Sequence, residues 1–261
     1  MQNLSLSLVQ TPLYWQQTEA NLASLEEKFW AQEEKTDIIV LPETFNKGFS
    51  VENQKHVEPL NFTTFKWMKN MASQTGSIII GSYLVHDKGL AYNRLFWVQP
   101  NGEYNFYNKR HLFKMGGEGK NLTQGNDLPI FKLKGWRICP QICYDLRFPA
   151  WSRNKTTEGQ TTYDALIYIA NWPKPRISAW TTLLKARAIE NLAYTVGVNR
   201  IGEDGNGLEY NGQSAAYDFK GEPLCQLNSE ETIKVVYLDY DKLANYRKDF
   251  PFYLDADSFD I

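Results

Sequence analysis

The run Asp37-Ile-Ile-Val-Leu-Pro-Glu43 has no polar face between its first and last residues, and that constrains the fold more than any other segment. A strand over Ile38–Leu41 that is apolar on both faces has to be covered on both, the mark of a parallel sheet flanked by helices. The neighbouring segments agree. Met1 to Gln10 alternates apolar with polar residues in the period of a strand, and Thr18 to about Lys35 sets Leu22, Leu25 and Phe29 on one helical face. A second helix is predicted around Thr63–Ser73, with Phe65, Met68 and Met71 apolar and Gly76 as its stop, before a strand over Ser77–Val85. The order so far is βαβαβ.

From Ala91 to about Leu133 the helical pattern stops. Arg94–Val98 and Tyr104–Leu112 flank Pro100-Asn-Gly102, which reads as a hairpin and makes the sheet mixed. A loop over Met115–Gly125 follows, then a strand over Trp136–Cys143 and a central strand over Ala165–Asn171. A helix over Ser178–Leu192 presents Trp180, Leu184 and Ala188 on one side, and strands over Ala193–Val198, Gln213–Phe219 and Ile233–Leu238 complete the core. The tail from about Asp241, with Tyr246, Phe250, Phe252 and Tyr253, is too aromatic for a free end and is expected to pack on the domain or a partner subunit. No linker interrupts the pattern, so residues 1–261 read as a single domain.

The chain has 43% hydrophobic and 22% charged residues, close to the soluble average, and no apolar run of bilayer length. Its formal net charge is −2, with basic residues spread along it, so neither a nucleic-acid partner nor a membrane is expected. The amino terminus lacks a basic segment and reads as structure, not as a signal. An odd number of cysteines, three, argues against a disulfide framework. Together these predict a cytoplasmic protein, in which the Asn-x-Ser/Thr triplets at Asn3, Asn61, Asn121 and Asn154 have no role.

Three of the strand-like runs end on reactive groups: Glu43, Lys109 and Cys143. A carboxylate, an amine and a thiol at strand ends can converge in one pocket, where they are the parts for covalent hydrolysis of a carbon–nitrogen bond without metal. Each has a plainer reading: a glutamate at a sheet edge, a lysine on a solvated edge beside Arg110 and Lys114, a cysteine serving as a small buried hydrophobe. A partly buried Glu43 would hold its proton more tightly and so serve as a base near neutral pH. Among His56, His86 and His111, only His111 lies near Lys109, and a Cys143–His111 dyad is the alternative. Cys139 and Cys143, four apart on a strand, would lie about 13 Å apart, too far for a disulfide or a shared metal ligand. The scattered histidines give no metal-ligand spacing, and the Gly116-Gly-Glu-Gly119 stretch lacks the Ser or Thr of a phosphate loop.

Leu41-Pro-Glu43-Thr-Phe, Lys109-Arg-His-Leu-Phe113, Ile142-Cys143-Tyr-Asp-Leu-Arg147-Phe-Pro149 and Ala186-Arg-Ala-Ile-Glu-Asn191 together resemble the successive signatures of the nitrilase superfamily of carbon–nitrogen hydrolases. The resemblance runs from the first strand to about Phe219. It implies an α/β fold, a four-layer α-β-β-α sandwich with a mixed sheet core, and a homodimer assembled through the helices near Cys143 and Ser178. It puts the nucleophile on Cys143, the lysine on Lys109, the general base on Glu43 and a supporting glutamate on Glu118, with no cofactor and no metal. Arg187 and Glu190, three apart on a helix, are expected to form an ordinary side-chain pair.

On that reading Glu43 takes the thiol proton as Cys143 attacks, while Lys109 and the Tyr144 backbone N–H hold the oxyanion, and water releases the acid from a thioester. The flanks, Cys143-Tyr-Asp-Leu-Arg-Phe-Pro-x-Trp-Ser-Arg153 and Ala170-Asn-Trp-Pro173, look most like the bacterial omega-amidase branch, whose substrates are small ω-amides of α-keto dicarboxylic acids such as 2-oxoglutaramate and 2-oxosuccinamate. An amidase of N-carbamoyl compounds is the alternative within the superfamily. Arg147 is the expected anchor for the substrate carboxylate, or else a structural partner of Asp145, and Trp172 either walls the pocket or packs in the core.

Overall fold

The computed structural model describes residues 2–51 and 57–260, so His56 lies outside the described residues. The first half of the chain runs β1 (Leu4–Gln10), α1 (Thr18–Ala31), β2 (Ile38–Val40), β3 (Glu58–Pro59), α2 (Thr63–Thr75), β4 (Ile78–Asp87), β5 (Leu90–Val98), β6 (Tyr104–Asn108) and α3 (Glu118–Asn121). The second half runs β7 (Phe131–Leu133), β8 (Trp136–Ile142), α4 (Pro149–Ser152), β9 (Thr156–Thr157), β10 (Gln160–Thr161), β11 (Ala165–Ala170), α5 (Ile177–Asn191) and β12 (Tyr194–Asn199). It closes with β13 (Ile201–Glu203), β14 (Glu209–Asn211), β15 (Ala215–Tyr217), β16 (Pro223–Gln226), β17 (Thr232–Leu238) and α6 (Tyr240–Asp249).

Two mixed sheets carry the fold. One has the order β17-β1-β2-β4-β5-β6, with β3 beside β4, and the other the order β16-β15-β12-β11-β8-β7. In each, three adjacent strands are parallel: β1, β2 and β4 in the first, and β8, β11 and β12 in the second. Hairpin partners extend them antiparallel, and the expected hairpin is β5 with β6.

The alternation of side chains explains how the sheets stack. Leu6, Leu8, Ile38, Val40, Ile78, Leu95 and Trp97 from the first sheet share one apolar cluster with Ile138, Ile142, Ile167, Ile169, Val196 and Val198 from the second. The residues that alternate with the first set along the strands, Val9, Ile39, Ile79 and Phe96, instead meet Leu22, Leu25 and Phe29 of α1 and Phe65, Met68 and Met71 of α2. On the far side, Leu166, Tyr168, Ala170 and Tyr217 meet Trp180, Leu184 and Ala188 of α5. The result is four layers, helix, sheet, sheet and helix, with the central strands β2, β11 and β12 buried on both faces because both are covered. Gly197 in β12 lets α5 approach, since a Cβ there would stand 2.4 Å from Leu184.

Several boundaries differ from the expectation. Helix α1 stops at Ala31, where Gln32 turns extended, and not at Lys35. The lysine strand ends at Asn108, not Leu112. The stretch read as a loop over Met115–Gly125 contains a 3-10 turn over Lys114–Gly116 and α3, separated by Gly117 at φ 87°. In α6 Leu243 is buried, and Arg247 donates to Asp164 at 2.7 Å and to the carbonyls of Tyr163 and Leu192, both at 2.9 Å. Tyr246 packs on Phe219 with ring centroids 5.0 Å apart. No helix among the described residues is long and apolar enough to cross a membrane.

Candidate active site

The parallel strands of both sheets bring their carboxyl ends to one crevice, the usual place for a ligand in an α/β sheet. Glu43 lies three residues past the end of β2, Cys143 directly follows β8, and Asn171 directly follows β11. Lys109 comes from the antiparallel β6, one residue past its end, where its N–H donates to the Asn93 carbonyl at 2.9 Å. Glu118 opens α3.

The Lys109 ammonium stands 2.8 Å from Glu43 Oε1 and 2.8 Å from Glu118 Oε2. Asn93 Nδ2 donates to Glu43 Oε1 and to Glu118 Oε1, both at 2.9 Å. The Phe113 N–H caps Glu118 Oε2 at 2.6 Å, and the Asn171 N–H donates to Glu43 Oε2 at 2.9 Å. Asn171 Nδ2 also holds the Glu43 carbonyl at 2.6 Å and Thr44 Oγ1 at 2.7 Å, which fixes the turn that carries the carboxylate. Glu43 and Glu118 are fully buried and Lys109 is 1% exposed, which excludes the solvated-edge reading of both chains. Buried charges survive only when paired and hydrogen-bonded, and all three are. Burial works against the Lys109 charge, but Glu118 and Glu43 outweigh it and hold its pKa above that of an ordinary lysine. Burial, aided by Glu43, raises the affinity of Glu118 for its proton against the pull of Lys109.

Cys143 is not the last residue of the strand but the first of a 3-10 turn over Cys143–Arg147, with φ at 44°. Thr44, next to Glu43, has φ at 43°. Backbone held in the left-handed region at non-glycine residues costs roughly 1–3 kcal/mol each and gathers where geometry matters more than stability. The thiol of Cys143, a partly buried residue, reaches the Asn171 carbonyl at 4.0 Å and lines the same cavity as the Glu43 carboxylate. Burial first, then Glu43, push its pKa well above that of a free thiol, with Lys109 opposing. Cys139 is fully buried in the core under α5, its pKa pushed up to about 12 by burial. Cys225 lies on β16 away from the crevice.

A cavity of about 590 Å³ opens onto these groups, lined by Glu43, Lys109, Cys143, Tyr144, Arg147 and Trp172 among others. The Arg147 guanidinium lies over the Trp172 ring at 4.7 Å and does not pair with Asp145, whose oxygens are taken by Tyr107, His111 and the Ile142 N–H. Trp172 both walls the cavity and packs on Trp180, with centroids 5.6 Å apart. Arg187 and Glu190 form the expected pair at 2.8 Å. His111 turns away from the cavity: its Nδ1 lies 2.8 Å from Asp145 and its ring stacks on Phe148, so the structure does not assemble a Cys143–His111 dyad. Among the described residues no group of three or more His, Cys, Asp or Glu side chains is arranged to hold a metal ion.

Sequence reasoning missed four residues. Asn171 carries the same signal as Glu43, a polar residue ending an apolar run, and was there to be read. Asn93 is a buried polar residue inside a strand. Asp145 and Arg176 gave no local signal; Arg176 lines the cavity from its exposed rim, its guanidinium 5.5 Å from the Phe113 ring.

Known proteins resemble this chain over nearly its whole length. The family model for carbon–nitrogen hydrolases matches residues 5–248. An omega-amidase, YafV, of Yersinia enterocolitica is 40% identical over 260 residues, 99% of both chains. A 2-oxoglutaramate amidase of Bacillus subtilis is 30% identical over 254 residues, 96% of both. Among solved structures, a CN-hydrolase superfamily protein from Xanthomonas campestris, with an arsenic adduct in its active site, superposes with a TM-score of 0.97 at 39% identity over 100% of both chains.

Proposed function

The chain belongs to the carbon–nitrogen hydrolase family, and from that premise we propose that it is an omega-amidase, hydrolysing small ω-amides of α-keto dicarboxylic acids to the acid and ammonia. The reading is carried by one observation: a buried Glu43, itself locked to Lys109, lines with the Cys143 thiol a cavity that also holds two guanidinium groups. The relatives named for omega-amides and 2-oxoglutaramate support the substrate class.

Glu43 accepts the thiol proton as Sγ attacks the amide carbonyl, and its own position is held by Lys109, Asn93 and the Asn171 N–H. The oxyanion develops between the Lys109 ammonium and the Tyr144 N–H. Removing one such donor typically costs about 10²–10³ in kcat. Glu43 then gives its proton to the departing nitrogen, ammonia leaves, and the acyl group remains as a Cys143 thioester. Water, losing a proton to Glu43, attacks the thioester and releases the acid and the free thiol. Glu118, sharing Lys109 and Asn93 with Glu43, keeps the ammonium from swinging toward either carboxylate alone.

At the far end of the substrate, Arg147 binds the α-keto acid carboxylate through a bidentate contact, with its plane steadied by Trp172. Such a site disfavours glutamine and asparagine, whose α-ammonium would meet like charge. Residues 1–261 act as one domain, in the cytoplasm, where three free cysteines stay reduced. The active form is a homodimer joined through the helices near Cys143 and Ser178; the exposed Ile189 on α5 supports that surface. Ammonia release from a panel of 2-oxoglutaramate, 2-oxosuccinamate, succinamate, glutamine, simple nitriles and N-carbamoyl compounds tests the reading. The two keto amides should lead and the nitriles should be almost untouched. Faster turnover of an N-carbamoyl compound would shift the substrate class, and faster turnover of glutamine would overturn it.

A further inference from the structure

Lys109 and Cys143 belong to different sheets, so no hydrogen-bonded ladder fixes the distance between the amine and the thiol. Most of the contact between those sheets is apolar packing, which is not directional, and the hydrogen bonds of Asn171 to Glu43 and Thr44 cross the crevice on the carboxylate side without touching the turn that carries the thiol. An oxyanion site made of one donor from each sheet, the Lys109 ammonium and the Tyr144 N–H, needs better registration than that, because a displacement of about 1 Å can cost 10²-fold in rate.

Asp145, two residues past Cys143 and fully buried, has the geometry to supply it. Its Oδ2 accepts the Ile142 N–H at 3.0 Å, on the nucleophile side, and the Tyr107 hydroxyl at 2.9 Å, on the lysine side. Its Oδ1 accepts the His111 N–H at 2.9 Å and the His111 Nδ1 at 2.8 Å. Tyr107 and His111 stand two residues before and two after Lys109, and Ile142 directly precedes Cys143. The Tyr107 hydroxyl in turn receives the Arg110 N–H at 3.1 Å and Trp151 Nε1 at 3.3 Å, so it is left with one proton to give, and Asp145 takes it. The His111 ring stacks on Phe148 at 3.8 Å, and the Phe148 N–H closes on the Asp145 carbonyl at 3.0 Å.

We propose that Asp145 is a positioning residue: one carboxylate, tied to both sides of Lys109 and to the residue before Cys143, that registers the thiol turn against the lysine. The proposal rests on the amidase reading for its catalytic consequence and assigns Asp145 and His111 no contact with substrate. It also gives His111 a role that explains why a histidine sits beside the lysine without serving as a base.

The test is Asp145→Asn, which keeps the volume but, in either orientation of the amide, sets an NH₂ against the backbone N–H of Ile142 or of His111. With 2-oxoglutaramate, kcat should fall about 10²-fold or more while KM stays within about threefold, in a protein with unchanged circular dichroism. His111→Phe retains the backbone contact and should lose less than about tenfold. A purely structural Asp145 would lower the melting temperature and leave kcat per folded molecule intact, and that result overturns the proposal. So would a rise in KM at constant kcat, or abolition of turnover by His111→Phe. Should Asp145→Asn fail to fold, Tyr107→Phe decides: a kcat loss of about fivefold or more at constant KM supports the clamp, and wild-type kcat refutes it. If the wild-type protein releases ammonia from no amide, the amidase reading fails separately, and alkylation of Cys143 by iodoacetamide still reads the clamp. The rate should drop about fivefold or more in Asp145→Asn with Cys225 unchanged, and an unchanged Cys143 rate overturns it.

Discussion

At the residue scale, the proposed chemistry depends on where protons rest. Burial and the adjacent Glu43 carboxylate keep the Cys143 thiol protonated, with its pKa well above the ordinary value of 9.0. On the proposed mechanism the nucleophile is therefore a thiol that loses its proton during attack and not a resting thiolate. The sign follows directly: a thiol whose pKa is raised stays neutral through the whole range below 9, so the 240 nm absorbance of wild type minus Cys143→Ala should show no thiolate step between pH 5 and 8. A step near pH 6 would mean a preformed ion pair. Glu43→Gln keeps the hydrogen-bonding shape and removes the acceptor, so kcat should fall about 10²–10⁴-fold, the usual worth of a general base. Arg147→Ala should raise KM for anionic amides about tenfold or more and leave a neutral amide of similar size unaffected; equal effects on both would make Arg147 structural. Glu43 and Cys143 were legible in the sequence because a reactive group ending an apolar run has few structural reasons to be there. Asn93 and Asp145 were not, because the partners that tie them to the site, Glu43 and Tyr107, lie 50 and 38 residues away.

At the scale of elements, periodicity carried far where one face was apolar and failed where boundaries were set by neighbours. The buried faces of α1, α2 and α5 are the ones the spacing predicts, and Gly76, at φ 66°, ends α2 as a stop residue should. Helix α1 gave no comparable stop near Ala31, since no glycine or proline follows until Pro42. The short α3 was hidden in a glycine-rich stretch whose composition reads as a loop, yet Gly117 in the left-handed region is what turns Glu118 back toward Lys109. Contact between α5 and β12 depends on the missing side chain at Gly197. Gly197→Ala would force Leu184 and Trp180 to shift, and urea unfolding should show a loss of about 1–3 kcal/mol, the cost of overpacking. No loss would mean that α5 is free to move outward.

At the scale of the whole molecule, alternation of apolar residues predicts strands but not which sheet each joins, because that choice is made by contacts far apart in sequence. The four layers were therefore reached through resemblance, and the structure supplies their cause in the apolar cluster shared by both sheets. The same arrangement leaves the carboxyl ends of two sets of parallel strands facing one crevice, which is why Glu43, Cys143 and Asn171 meet there. A molecule built this way draws the proposed hydrolysis from its own side chains and the Tyr144 N–H, and prolonged treatment with a strong chelator should leave its rate unchanged. The central claim is a thioester formed on Cys143 from an ω-amide. Its most direct test is intact-protein mass spectrometry of the wild-type enzyme quenched in acid during turnover of 2-oxoglutaramate, with peptide mapping of the adduct. The account predicts a mass increase equal to the acyl group, on Cys143, absent from Cys143→Ala and accompanied by ammonia release. Steady ammonia release by Cys143→Ala, or an adduct mapped to Cys139 or Cys225, would contradict it.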